Sequence, residues 1–209
     1  MNRRGAVVVA TLTLVVLPLA ACAAPASPAG SSPDVGWSDA RPGLPEGEVR
    51  AQGTVLDDGS TVSLCLGAVR ESAPPQCEGI PLMGWDWDGV DGSTTTGGTT
   101  WGAYAVRGTY DGAGLTVTQP PIMLALYDPL PPVDPTGGVR GEATAAEAEA
   151  ISREVSGRVG ESFLGAQERD GWVWLDVVWD DGTWQDAADG EFGARKVVVR
   201  SALQEIATP

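Results

Sequence analysis

Six prolines between positions 120 and 135, namely Pro120, Pro121, Pro129, Pro131, Pro132 and Pro135, divide the chain into two stretches that cannot share one regular element. Proline fixes φ, lacks an N–H and clashes with the preceding helical turn, so neither a long helix nor much sheet pairing can run through them. Apolar residues before this barrier alternate with a period of two, and those after it recur at three and four before alternating again. The pattern predicts an α+β fold with strands first and helices only in the second half.

In the first half, Val49, Ala51, Gly53 and Val55 alternate and are followed by the turn sequence Asp57-Asp58-Gly59-Ser60 and a second run, Val62 to Val69, which makes a hairpin. Pro74, Pro75 and Pro81 interrupt the next stretch, which puts Cys77 in a loop and leaves Leu82 to Trp87 as a third strand. Residues 89–100 are Gly, Ser and Thr with little to bury and are expected to form a mobile surface loop. Trp101 to Tyr110 and Leu115 to Gln119 flank the turn Asp111-Gly112-Ala113-Gly114 and complete five strands. That size and rhythm match a small all-β barrel, OB-like, over 48–119, with an open sandwich as the competing architecture. Over the Pro-rich linker, 120–141, the run Ile122 to Tyr127 is too apolar to be free and is expected to pack along one or both neighbours.

Beyond the linker, Thr144-Ala145-Ala146-Glu147 is a capping-box pattern, and Ala148, Ile151, Val155 and Val159 follow on one helical face that Gly160 ends. Residues 161–168 and 172–180 read as a hairpin, Asp180-Asp181-Gly182-Thr183 opens a short helix to about Phe192, and Lys196 to Leu203 is the last strand. The order α-β-β-α-β over 142–209 predicts a two-layer α/β sandwich with a right-handed crossover, the first strand lying between the other two. Val173, Leu175, Val177 and Trp179 are assigned to the helix layer, with the reverse assignment of the two faces left open. The opposite face would then carry Trp172 and Trp174, covered by the linker or the barrel, or else open to a partner.

The N-terminus constrains location. Arg3 and Arg4 precede an apolar stretch, Ala6 to Ala21, that ends in Leu19-Ala20-Ala21-Cys22. That tetrapeptide resembles the lipobox of bacterial lipoproteins, in which the cysteine thiol takes a diacylglycerol. The resemblance implies that residues 1–21 are a cleaved lipoprotein signal peptide and that Cys22 is the lipidated first residue, attached to the cell membrane on its extracytoplasmic face. An ordinary signal peptide would leave an odd cysteine in an exported chain, and an uncleaved anchor would need a longer run than one broken by Pro18. Residues 22–47, rich in Ala, Pro, Ser and Gly, have the composition of a flexible tether spanning roughly 25–30 Å.

The formal net charge is −15, and loss of a leader with two Arg and no acid takes it near −17. Such a surface is repelled by nucleic acid and by anionic headgroups, which excludes a nucleic-acid partner and leaves the lipid on Cys22 as the membrane attachment. The chain has no His, which removes the commonest general base and metal ligand. Of three Cys, Cys65 and Cys77 remain to pair in an oxidising compartment. Closing that short loop is worth about 3 kcal/mol in the chain-entropy account. A zinc or redox pair would need further ligands or a C-x-x-C spacing.

Candidate chemistry concentrates in Gly84-Trp85-Asp86-Trp87-Asp88-Gly89-Val90-Asp91-Gly92. Asp86, Asp88 and Asp91 could hold Ca²⁺, but the EF-hand spacing fails, and no metal or other cofactor is expected. Trp85, Trp87 and Trp101 with nearby carboxylates could stack on a sugar. The acid pairs Asp57-Asp58 and Asp180-Asp181 would suit glycan hydrolysis, but each precedes Gly in a turn sequence. No Gly-x-Ser-x-Gly elbow, P-loop or Ser-x-x-Lys context occurs.

The motifs Pro74-Pro75-Gln76-Cys77, Gly84-Trp85-Asp86-Trp87 and Gly108-Thr109-Tyr110-Asp111-Gly112 resemble secreted or lipid-anchored actinobacterial proteins of unassigned activity. That resemblance implies compartment and layout and no catalytic residue. The expectation is a non-catalytic binding or scaffolding module of the cell envelope, meeting an envelope protein or glycan through Trp85, Asp86, Trp87, Asp88, Asp91 and Trp101 or through Trp172 and Trp174. The alternative is a carboxylate-dependent glycan hydrolase.

Overall fold

The computed structural model describes residues 36–128 and 134–206. The leader, Cys22 and the first part of the tether lie outside the described residues. Residues Pro33–Pro209 cluster as one compact unit. No described helix is long and apolar enough to cross a membrane.

Strands β1 (Val49–Asp57) and β2 (Val62–Arg70) form the expected hairpin. Its turn is held by Asp58 Oδ1, which accepts from the amides of Ser60 and Thr61, and Gly59 supplies the positive φ of 85°. Strand β3 (Gln76–Met83) starts before the expected position and contains Cys77, which is therefore in a strand and not a loop. Ile80 and Leu82 point inward and alternate with Pro81 and Met83, so the period-two signal was present but masked by the proline. Residues 84–93 then loop out where the third strand was expected to continue.

The Gly, Ser and Thr segment is partly ordered. Strand β4 (Thr94–Thr96) pairs antiparallel with the start of β5 (Thr99–Tyr110) around Gly97 and Gly98, both at positive φ. Two such residues in a two-residue loop match the right-handed twist of the strands they join, which makes this a hairpin where composition alone suggested a loop. Strand β6 (Leu115–Val117) follows the Asp111 turn, and β7 (Ile122–Met123) pairs with β5 at Tyr104 and Ala105. The linker's apolar run thus packs along the first sheet.

The pairings run β1–β2–β3–β6–β5, with β3–β6 parallel, and β5 also pairs with β1 along nine residues from Val49↔Gly108 to Asp57↔Thr100. Cys65 and Cys77 stand at disulfide distance on β2 and β3, their Cα atoms 5.8 Å apart, across the register shift between Cys65 and Val69.

Helix α1 (Ala145–Val159) starts at the expected capping box: Thr144 Oγ1 accepts from the Glu147 amide and Glu147 accepts from the Thr144 amide. Ala148, Ile151, Val155 and Val159 are its buried face. Strands β8 (Phe163–Arg169) and β9 (Trp172–Val177) form the hairpin, α2 (Thr183–Phe192) follows, and β10 (Val197–Ser201) lies parallel to β9. The strand order is β10-β9-β8, so the second strand, not the first, is central. The crossover through α2 is short and lands β10 directly beside β9, which leaves β8 at the other edge. Val173, Leu175 and Val177 face the helices as expected. Trp179 instead packs with the first sheet.

Contacts tie the two sheets together. Val178 and Leu203 are buried in the core of the first sheet, β11 (Gln204–Glu205) pairs with β1, and the Ile206 amide bonds to the Glu48 carbonyl. Residues 36–47, read as part of a spacer, are docked: Trp37 is fully buried beside Trp184 and Phe192, with ring centroids 5.1 and 5.8 Å away. Asp181 Oδ2 accepts from the Gly43 amide, and Trp179 Nε1 donates to the Gly43 carbonyl. One large aromatic side chain offsets the ordering entropy that the surrounding Ala, Pro and Gly cannot.

Candidate functional site

The loop after β3 is built on aromatic packing. Gly84, at φ 70°, turns the chain out of the strand, and Asp86 Oδ1 accepts from the Asp88 amide. The Val90 amide closes a turn on the Trp87 carbonyl. Trp85 meets Trp87 edge-on at 5.1 Å and Tyr104 of β5 at 5.2 Å. Trp87 Nε1 donates to Asp57 Oδ2, and the Tyr104 hydroxyl donates to the Asp91 carbonyl, so both ends of the loop are pinned to the sheet. Gly92 sits at φ 84°, a conformation that favours glycine, beside the Met123 thioether of β7. Burial, then the nearby Asp91 carboxylate, push the Tyr104 hydroxyl above its ordinary pKa, so it stays a neutral donor.

Between this loop and residues 117–126 lies a cavity of about 550 Å³, within the roughly 300–1,000 Å³ typical of small-ligand sites. One wall is Trp85, Val90 and Tyr104, and the other is Val117, Ile122, Met123 and Leu126 with Pro120 and Pro121. Ile122 and Leu126 are 47% and 76% exposed at its mouth. Asp86, Asp88 and Asp91 supply the charge, and among the described residues no Lys or Arg lines the space.

Of the residues singled out in the sequence, Trp85, Asp86, Asp88 and Asp91 are brought together here. Trp87 sits behind Trp85 and is committed to Asp57. Trp101 stands elsewhere, opposite Leu56 of β1 and Thr94 of β4, and does not line the cavity. The wall from 117 to 126 was not anticipated as part of the site; its signal was the unexplained apolar run in the Pro-rich linker.

Trp172 and Trp174 lie on the expected sheet face, but both are buried. Trp172 Nε1 donates to the Val139 carbonyl, and the amides of Gly141 and Ala143 bond to the carbonyls of Asp170 and Gly171, so the end of the linker covers this face. The Arg169 and Arg200 guanidinium groups stand 4.1 and 5.0 Å from the Trp174 ring, and Arg200 also makes a two-point contact with Asp176. Of the linker, its apolar run packs on β5 and its end covers Trp172.

The acid pairs have structural partners. Asp57 accepts from Gly59 and Trp87, and Asp58 from Ser60 and Thr61, which lowers the Asp58 carboxyl to about 2, the Ser60 hydroxyl being the first cause. Asp180 Oδ1 accepts from the Trp184 amide at the start of α2, and burial raises its pKa. Asp181 accepts from Gly43 and Thr183. Among the described residues no group of three or more Cys, Asp or Glu side chains is placed to hold a metal ion. No family model, curated protein or solved structure matches the chain.

Proposed function

We propose that the chain is a non-catalytic binding module of the cell envelope, carried on the extracytoplasmic face of the cell membrane by a diacylglyceryl group on Cys22, with the cavity beneath Trp85 as its ligand seat. The observation that carries this reading is the cavity itself. It is apolar-walled and formed by a loop pinned at both ends, so the seat is preformed and little ordering entropy opposes binding. The lipid attachment is supported by the lipobox resemblance at Leu19-Ala20-Ala21-Cys22 and by the acidic charge, which leaves no basic patch to hold anionic lipid. The absence of catalysis is supported by the structural bonding of both acid pairs.

The same proposal takes the first sheet as an OB-like barrel. Its support is the ladder that returns to β1 through β5, with β3–β6 as the parallel pairing. Envelope glycan is the second reading of the ligand, favoured by Trp85 beside Asp86 and Asp88.

Two measurements test the reading. Mass spectrometry of the native protein is expected to find a diacylated N-terminus at Cys22, lost in Cys22→Ala; an intact Met1 overturns the anchor. Purified envelope glycan and envelope protein fractions are expected to bind the parent chain and not Leu126→Arg, which fills the cavity mouth at an exposed position; equal binding by both overturns the cavity.

A further inference from the structure

The charge along the cavity is one-sided: among the described residues its lining holds three carboxylates and no Lys or Arg. Several donors on its walls are committed to the protein: the Tyr104 hydroxyl to the Asp91 carbonyl, the Thr118 hydroxyl to Glu48, the Thr118 amide to the Arg107 carbonyl, and the Val90 and Asp88 amides to the loop itself. Pro120 and Pro121 have no N–H to give. The Gln119 side-chain amide and the backbone amides of Trp85, Asp86, Gly89 and Asp91 are further donors along the lining, and the Trp85 indole nitrogen is buried within the wall. Among the described residues no side-chain hydrogen bond or ion pair engages the Asp88 or Asp91 carboxylates, and Asp86 commits one oxygen. Arg107, behind Thr118, offers no compensating charge because it is paired with Glu48 at 2.7 Å.

Three carboxylates without a Lys or Arg, beside an apolar wall, suit a cationic group on an apolar stem, and among protein side chains those are lysine and arginine. The stem can lie along Ile122, Met123 and Leu126 while the head reaches the carboxylates and the Trp85 ring.

We infer that the cavity takes a lysine or arginine side chain of an extended partner peptide, flanked by aliphatic residues that cover Ile122 and Leu126 at the mouth. The inference rests on the binding reading above and narrows its ligand to a cationic, apolar-stemmed peptide.

The test uses the full chain in detergent and a capped pentapeptide alternating leucine and lysine, against the same peptide with glutamine for lysine, titrated by calorimetry. The lysine peptide is expected to bind about tenfold more tightly than the glutamine peptide. The preference should narrow at about 0.5 M salt. It should vanish in Asp86→Asn/Asp88→Asn/Asp91→Asn, whose exposed asparagines keep the loop's turn acceptor; circular dichroism verifies the fold. Equal affinity for the two peptides, no binding of the lysine peptide, or a preference that survives the triple substitution overturns the inference. A chito-oligosaccharide that binds the parent, is lost in Leu126→Arg, and binds where the lysine peptide does not also overturns it, while leaving the cavity as the ligand seat.

Discussion

At the scale of single residues, Asp180 shows how a carboxylate that invites a catalytic reading can be a structural part. It caps α2 through the Trp184 amide, and its burial raises its pKa above the ordinary 3.8. A raised pKa in the folded state means that the group favours folding when protonated. That contribution is complete below 3.8 and is lost as pH rises through the folded-state value. Asp180→Asn keeps the acceptor and removes the titration. Thermal unfolding of both proteins from acid to neutral pH is expected to show the parent losing stability relative to the variant as pH rises above 3.8; a difference flat across that window would be the contrary result. The candidate site was legible at this scale in part. Trp85, Asp86, Asp88 and Asp91 are adjacent in sequence and stay adjacent in space. Trp101 shares their composition but not their place, because strand register, which composition does not encode, puts it opposite Leu56. Trp37 was hidden for a related reason: a lone aromatic in a Pro- and Gly-rich stretch reads as an exception until a pocket between helices is there to receive it.

At the scale of elements, periodicity located the β1–β2 and β5–β6 hairpins of the first sheet, the capped α1, the β8–β9 hairpin and the α2 crossover. The errors sit where a residue type carries two meanings. Proline at 81 reads as a breaker yet occupies a strand opposite Ser63, and Thr94–Thr96 reads as loop composition yet pairs with β5 across the Gly97-Gly98 turn. The edge of β10 was beyond the reach of pattern altogether. Gln185, on α2, accepts from the Val199 amide and donates to the Val197 carbonyl, so one side chain takes the place of a neighbouring strand. Gln185→Leu removes both bonds and leaves that backbone unpaired, at an expected cost of about 1–3 kcal/mol. Urea titration measures the loss. Size-exclusion chromatography should also show association in the variant, since an open edge is a template for pairing; unchanged stability would mean that water replaces the glutamine.

At the scale of the whole molecule, the Pro-rich segment marks the change of period without separating two bodies. The C-terminal residues return to the first sheet after the second is complete, with Leu203 filling its core and Gln204–Glu205 extending β1. The aromatic segment at residue 37 docks onto the helices from the other end of the chain. Each sheet therefore holds residues that the other's segment supplies, and neither core is closed alone. Cooperative unfolding follows from that exchange. A fully buried leucine truncated to alanine costs about 2–5 kcal/mol, and in Leu203→Ala that loss falls on the shared core. Urea unfolding of the parent is expected to be one transition by both tryptophan fluorescence and far-ultraviolet dichroism. In Leu203→Ala its midpoint should fall with the two probes still coincident. Two separated transitions in the parent, or a variant in which one probe moves and the other does not, would show that the sheets unfold independently and that the terminal strand is only an appendage.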